Sequence, residues 1–287
     1  MREVGRRIYD EISDIKLQIM KTGRKLLLAA GLAGVALTAG AFLAFKGRAM
    51  QPGNALFGMQ PVSPAAGGFA VVELFTSEGC SSCPPADALV AAVQKEDKDL
   101  PVYVLAFHVD YWDRLGWKDA FSDAAYSDRQ KDYARWLRLS SIYTPQVIVN
   151  GRKEFVGSDA VTLRRAIGSS LQEAGKAGVS LSQVRLSGNR LDWQAHVVGA
   201  GRSTGLVVAV VEHSAVTKVR AGENGGKTLS HIQIVRGLET VKLDGKGNAG
   251  GHLDWPGGVD PADGEVIAFL QDEDNGQIVA ATRSAVK

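Results

Sequence analysis

The chain has 287 residues, 45% hydrophobic and 22% charged, with a net charge of +2 and two cysteines. That length allows about two domains, and the near-balanced charge excludes the strongly basic surface that nucleic-acid binding calls for. Two cysteines three positions apart cannot staple a small disulfide scaffold, so they point to redox chemistry or half of a metal site.

The chain divides into five expected segments: 1–25, 26–45, 46–68, 69–177 and 178–287. Residues 1–25 carry seven Lys/Arg against four acids, so most of the basic excess is local. Leu26 to Phe45 contains no charge and is long enough to span a bilayer core as a helix. The basic load on its N-terminal side, ending in Arg24 and Lys25, exceeds that of Lys46 and Arg48 beyond it, which keeps the N-terminus inside and the rest outside. The segment reads as a transmembrane signal anchor, placing the protein on the periplasmic side of the inner membrane as a single-pass protein. The alternative is a cleaved signal peptide, with a start at Met20, small residues at Ala39-Gly-Ala41, and secretion. Residues 46–68 are rich in Gly, Pro and Ala and read as a linker.

Phe69 to Phe75 has the apolar, β-branched run of a buried strand. Thr76 to Gly79 is a loop, and Pro84-Pro85 suit the first turn of a helix through Gln94. Pro101 to His108 predicts a second strand, and residues 118–139 one or two amphipathic helices. Pro145 to Val149 predicts a third strand, Asn150-Gly151 a hairpin turn, and Lys153 to Val156 the return. Ser158 or Asp159 caps a helix to about Glu173. Strands alternating with helices predict an α/β layer with parallel pairing. After Gly178 the chain predicts only strands, over 179–186, 190–198, 205–212, 231–243 and 266–271, separated by polar turns. This reads as a separate all-β, sandwich-like domain.

The chemistry concentrates at Cys80-Ser-Ser-Cys83, between the first strand and the first helix. Cys80 at a helix N-terminus is favoured as a thiolate, and Cys83, one turn on, can resolve a mixed disulfide. Zinc sites share the C-x-x-C spacing. Glu78 lies close enough to disfavour a Cys80 thiolate. His108-Val-Asp110 follows a strand end, as a pocket residue, a metal ligand pair or a packed surface histidine. Tyr111, Trp112 and Trp117 form either a lip for a protein substrate or the edge of the core. His196, His213, His231 and His252 show no ligand spacing, and Gly222 to Gly226 reads as a turn. No metal site is expected, and no methionine-rich run accompanies the thiols, as a copper chaperone would favour.

The run from Val72 to Asp87, Val-Glu-Leu-Phe-Thr-Ser-Glu-Gly-Cys-Ser-Ser-Cys-Pro-Pro-Ala-Asp, resembles the signature of a family of secreted bacterial thioredoxin-like proteins known as a domain of unknown function. His108 to Asp113, Gly116-Trp117, Tyr143 to Gln146 with Asn150-Gly151, Gly222 to Gly226 and His231 to Arg236 extend it. The resemblance spans about residues 68–285 and implies a thioredoxin-like α/β domain followed by the β-rich one. It implies that Thr144-Pro145 is a cis peptide facing the dithiol. It also implies that Glu73 takes the proton of the second cysteine, although the spacing to the dithiol is one residue longer than in thioredoxins. His108, Trp112 and Tyr143 would then line the substrate site, and a redox-active disulfide would serve in place of any cofactor. The function implied is thiol–disulfide exchange on exported proteins, with a membrane or periplasmic redox partner. The alternative is an envelope binding protein or copper chaperone whose cysteines are structural or metal-holding.

Overall fold

A computed structural model describes residues 67–244 and 246–287. The expected signal anchor at 26–45, and the segments before and after it up to residue 66, lie outside those residues. Among the described residues no helix is long and apolar enough to cross a membrane. The single membrane anchor expected among the partners is corrected to that extent: no described helix supplies it.

Strand β1 (Ala70–Thr76) leads through a short loop into helix α1 (Pro84–Glu96) and strand β2 (Val102–His108). A 3-10 turn (Asp110–Leu115), helix α2 (Ala124–Leu137), the hairpin β3 (Gln146–Val149) and β4 (Lys153–Val156), and helix α3 (Ala160–Gln172) come next. The remainder is β5 (Gly178–Ser187), β6 (Arg190–Val198), β7 (Thr204–Lys218), β8 (Thr228–Lys242), β9 (Asn248–Asp254), β10 (Gly264–Asp272) and β11 (Ile278–Ala285). Helices begin where side chains satisfy free backbone N–H groups: Asp123 accepts from Ala125 N (2.8 Å) and Asp159 from Thr162 N (3.0 Å).

The expected pair of an independent thioredoxin-like α/β domain and a separate β domain does not form. Strands from both parts build one eight-stranded mixed sheet in the order β11-β10-β7-β8-β2-β1-β3-β4, and only β5, β6 and β9 make a second sheet. The junction is the parallel contact of β2 with β8, where Ala106 lies opposite Ile234. The physical reason is burial on both faces of the large sheet. Val207, Ala209, Val211, Ile267 and Phe269 join Val71, Phe75, Leu105 and Phe107 in one core beneath α2. On the opposite face, Val72 and Leu74 pack under α1 and α3. The alternate residues Leu206, Val208, Val210, Val266, Ala268 and Leu270 pack against Leu191 and Trp193 of the small sheet. Strands covered on both faces read as continuous apolar runs rather than alternating ones.

Polar groups lock the two halves together. In the β3–β4 turn, Asn150 (φ 50°) and Gly151 (φ 66°) adopt the left-handed backbone such a hairpin needs. The Asn150 side chain accepts from Val71 N (2.7 Å) and donates to Phe69 O (3.0 Å), and its carbonyl accepts from Ile278 N (3.0 Å). A Cβ on Gly151 would run into the Gly276 carbonyl of the β10–β11 turn. Beneath α2, Glu73 of β1 accepts from Arg129 Nε (2.6 Å) and from the Tyr133 hydroxyl. Arg129 reaches Gln271 of β10 (3.1 Å), and Gln271 donates to Tyr133 (2.8 Å). Burial alone would weaken the charge on Arg129, but Glu73 beside it outweighs this and holds the guanidinium charged.

Removing Glu73 strands that guanidinium in the core. Glu73→Ala is expected to cost about 3–5 kcal/mol in urea unfolding, the range for breaking a buried ion pair. Simultaneous replacement of Glu73 and Arg129 by apolar residues is expected to recover part of that loss.

Candidate functional site

The two cysteines lie at the carboxyl ends of the parallel strands β1 and β2, where open α/β sheets gather their sites. They form a disulfide. Helix α1 starts at Pro84, so Cys83 is its N-cap residue and its carbonyl accepts from Ala86 N (2.8 Å) and Asp87 N (3.1 Å). The expectation that Cys80 sits at the helix N-terminus is corrected. Cys80 lies on the preceding turn, where its N–H donates to Ser77 O (3.1 Å) and its carbonyl accepts from Cys83 N (3.2 Å). The two Pro residues of the first helical turn lack the N–H that would otherwise be unpaired there.

Both cysteines are wholly buried, while Ser81 and Ser82 between them are exposed. The tip of the long β7–β8 hairpin clamps their loop. Glu223 accepts from Ser81 N (3.0 Å). Asn224, itself buried, donates to the carbonyls of Glu78 and Cys80, both at 2.9 Å. Gly222, at φ +72°, makes the turn and packs against Trp117.

The residues singled out from sequence fall into three groups. Thr144-Pro145 is a cis peptide, and Gly157 sits against both Pro145 and Ala86, which places that loop beside the first turn of α1. Trp112 packs by Gly79 and donates from its indole to Thr144 Oγ1 (2.8 Å), so it joins the two loops. His108 is buried at the end of β2 and close to the dithiol loop through Asp119. Tyr143 points elsewhere: its hydroxyl donates to Glu154 on the strand β4. Glu73 is also apart, because it shares a sheet face with Val71 and Phe75 while the dithiol lies on the face of Val72, Leu74 and Ala86. Successive residues of a strand face opposite sides, so Glu73 lies on the side away from Val72 and Leu74.

A buried ionisable cluster occupies the place expected for Glu73. Thr76, on the dithiol face of β1, donates to Asp87 of α1 (3.3 Å). His108 Nδ1 pairs with Asp119 at 2.7 Å, and Asp119 also accepts from the backbone of Glu78 (2.8 Å) and Phe121 (2.9 Å). Glu78 accepts from the Trp117 indole (2.7 Å). The His108 and His231 rings meet edge to face with centroids 4.8 Å apart. Desolvation alone would lower the His108 pKa, but Asp119 outweighs it and raises the proton affinity of the ring. Burial opposes the charge on Asp119 too, and the charge and hydrogen bond of His108 overcome it and lower its pKa. Burial pushes the Asp87 carboxyl up. Among the described residues, no three His, Cys, Asp or Glu are arranged to hold a metal ion.

Sequence reasoning missed Asp87, Asp119, His231, Glu223 and Asn224. Their spacing carries no pattern, because they arrive from α1, a loop, β8 and a hairpin tip. The usable signal was that most of them lie inside the motifs through which the chain resembles its family.

The chain belongs to a family described as protein of unknown function (DUF1223), whose profile matches residues 71–271. It is similar to the crystal structure of a protein from Agrobacterium tumefaciens, AGR_C_4864. The identity is 30% and the TM-score 0.55, with 75% of this chain and 92% of that one covered. HBP35 of Porphyromonas gingivalis shares the fold at 16% identity and a TM-score of 0.54, covering 78% of this chain and 77% of that one. No curated protein matches the chain.

The His108–Asp119 pair sets a pH dependence with a definite sign. A histidine whose folded pKa is raised binds its proton more tightly in the native state. Its contribution is complete below the ordinary value of about 6.5 and is lost as pH rises through the folded value. The urea midpoint of the oxidised protein is therefore expected to fall as pH rises above the ordinary histidine value of about 6.5. His108→Asn should flatten that slope and cost about 3 kcal/mol at the acidic end, as expected for stranding Asp119.

Proposed function

We infer that this DUF1223 protein carries out thiol–disulfide exchange at Cys80–Cys83, acting on protein or peptide thiols outside the cytoplasm. One observation carries the reading: a close cysteine pair closes a loop at the start of a helix, at the carboxyl ends of parallel strands, and beside a proline loop. A purely structural disulfide gains most by closing a long loop, and this one spans three residues. A disulfide pair fits an oxidising compartment.

In this reading a substrate thiolate attacks Cys80, the S–S electron pair passes to Cys83, and a second thiol releases the mixed disulfide. Pro145 and Thr144 shape the groove beside Cys80, with Trp112 tying their loop to the dithiol loop. His108 supports the site from beneath. Glu73 serves the fold rather than the sulfurs, given its pairing with Arg129 and Tyr133. Because both cysteines are covered, exchange requires the Glu223-Asn224 tip to lift.

The complete burial favours a second reading, in which the pair is structural and the protein binds a partner without turnover. The two separate by reduction potential. A structural disulfide lies below about −300 mV, whereas an exchanging one lies above it. For the exchange reading, Cys83→Ser is expected to accumulate a mixed disulfide with a thiol substrate, and Cys80→Ser to abolish insulin reduction. Full insulin-reductase activity in Cys80→Ser would overturn it. Asn224→Ala removes two hydrogen bonds, each worth about 1 kcal/mol, and is expected to speed reduction by small thiols by up to about thirtyfold.

A further inference from the structure

A reacting thiol attacks as its thiolate, an anion, so a charge beside the dithiol loop acts on every substrate that approaches. Glu223 supplies such a charge. Its Oε2 accepts from Ser81 N at 3.0 Å, and it is exposed at the tip of the β7–β8 hairpin, against the exposed Ser81. Ser81 N is four bonds from Cys80 Sγ, a reach of at most about 5 Å at ordinary bond lengths. The carboxylate therefore stands within about 8 Å of the sulfur, close to one Debye length at physiological salt and well inside it at low salt. Hydrogen bonds from the Ser81 side chain and N–H hold the Glu223 carboxyl below its usual range, so it is charged at neutral pH.

Two other charges lie near the loop. Lys227 brings a positive charge to the same tip, but one step further off. Its ammonium donates to Asn224 Oδ1 (2.9 Å), and Asn224 stands between it and the Cys80 carbonyl. Asp119 accepts from Glu78 N, but it is buried and paired with His108. Of the three, Glu223 alone is both exposed and bonded directly to the loop. Lifting the tip, which exchange requires, breaks the Glu223–Ser81 hydrogen bond. A cation on the substrate offers the released carboxylate a new partner and offsets that loss. An anion offers none and is repelled.

We propose that Glu223 determines specificity at this site by charge, and that the substrate class is cysteine flanked by Lys or Arg. This rests on the exchange reading of Cys80–Cys83 and names the substrate of that reaction. A substrate thiolate attacks Cys80 Sγ. The S–S bond breaks, and its electron pair leaves on Cys83 Sγ. A second substrate thiolate attacks the substrate sulfur of the mixed disulfide, and that electron pair leaves on Cys80. The two protons released by the substrate thiols end on the protein thiols. One protein disulfide and two substrate thiols thus become one protein dithiol and one substrate disulfide. Glu223 touches no reacting atom in these steps; it favours the approach of a cationic substrate and disfavours an anionic one.

The test is reduction of the oxidised full chain by three thiols of similar size: cysteamine (cationic), 2-mercaptoethanol (neutral) and 3-mercaptopropionate (anionic). Rates per thiolate are read at about pH 7 and low salt, from alkylation and mass shift of the released cysteines. One charge at about 8 Å, in a medium between protein surface and water, changes such a rate about fivefold, so the wild type is expected to prefer cation over anion by about 25-fold. Glu223→Gln keeps an oxygen for the Ser81 N–H and removes the charge. It is expected to bring the ratio near one, and Glu223→Lys to invert it. Any effect of a variant on opening of the tip cancels in the ratio, because the same protein meets all three thiols. A wild type without charge order, or a Glu223→Gln protein with the wild-type ratio, overturns the proposal. Should the variants not fold, salt decides: about 1 M salt should compress the wild-type ratio, and an unchanged ratio overturns the proposal. Failure of the exchange reading looks different. Cys80→Ser would then keep full insulin-reductase activity and the substrate assignment would fall with it, whereas loss of the charge order alone leaves exchange standing.

Discussion

The buried Glu73–Arg129 pair is the constraint on which the molecule depends. It joins β1, α2 and, through Gln271, the strand β10 from the far end of the chain. Phe107, Tyr133 and Phe269 surround the guanidinium, each ring centre within 5.5 Å of it, so water cannot replace a lost partner. An ion pair of this kind need not stabilise relative to an apolar core, but it forbids arrangements in which one partner is absent. A free-standing first half would leave Arg129 and Glu73 without Gln271 and would strip the second half's apolar strands from their shared core. The single sheet follows from that shared apolar core, to which the Arg129–Gln271 hydrogen bond adds.

The same pair occupies one side of β1 and leaves the other side to the elements around the cysteines. Along Val71 to Thr76, alternate residues face opposite cores. Glu73 points toward α2, and Thr76 points toward α1 and the cysteines. The ionisable residues beneath the dithiol come instead from α1, β2, β8 and the loop holding Asp119. Strand alternation is what separates them, since neighbouring residues along β1 face opposite cores.

The β7–β8 hairpin links the two themes. Its base completes the large sheet beside β2, its middle delivers His231 to the buried cluster, and its tip closes over the dithiol loop through Glu223 and Asn224. The part of the chain that was expected to form a separate β domain therefore supplies the cover and part of the interior of the site. This arrangement makes access to the sulfurs a property of the hairpin rather than of the C-x-x-C loop alone.

Local pattern determined much of this protein. The apolar runs of β1, β2 and β3, the Pro-Pro start of α1, the Asn150-Gly151 turn and the Asp159 cap are all encoded within a few residues, because strand propensity, capping and turn geometry are short-range effects. The closeness of Cys80 and Cys83 is likewise set by their spacing. Elements whose residues lack such patterns stayed hidden: β9, rich in glycine; β11, partly polar; and the polar outer ends of β7 and β8. Only the tertiary structure decided that the two halves share one sheet, that Glu73 pairs with Arg129 and Tyr133, and that His108 meets Asp119 and His231. Those outcomes depend on pairing across more than a hundred residues and on which face each strand presents. Neither leaves a local trace in the sequence.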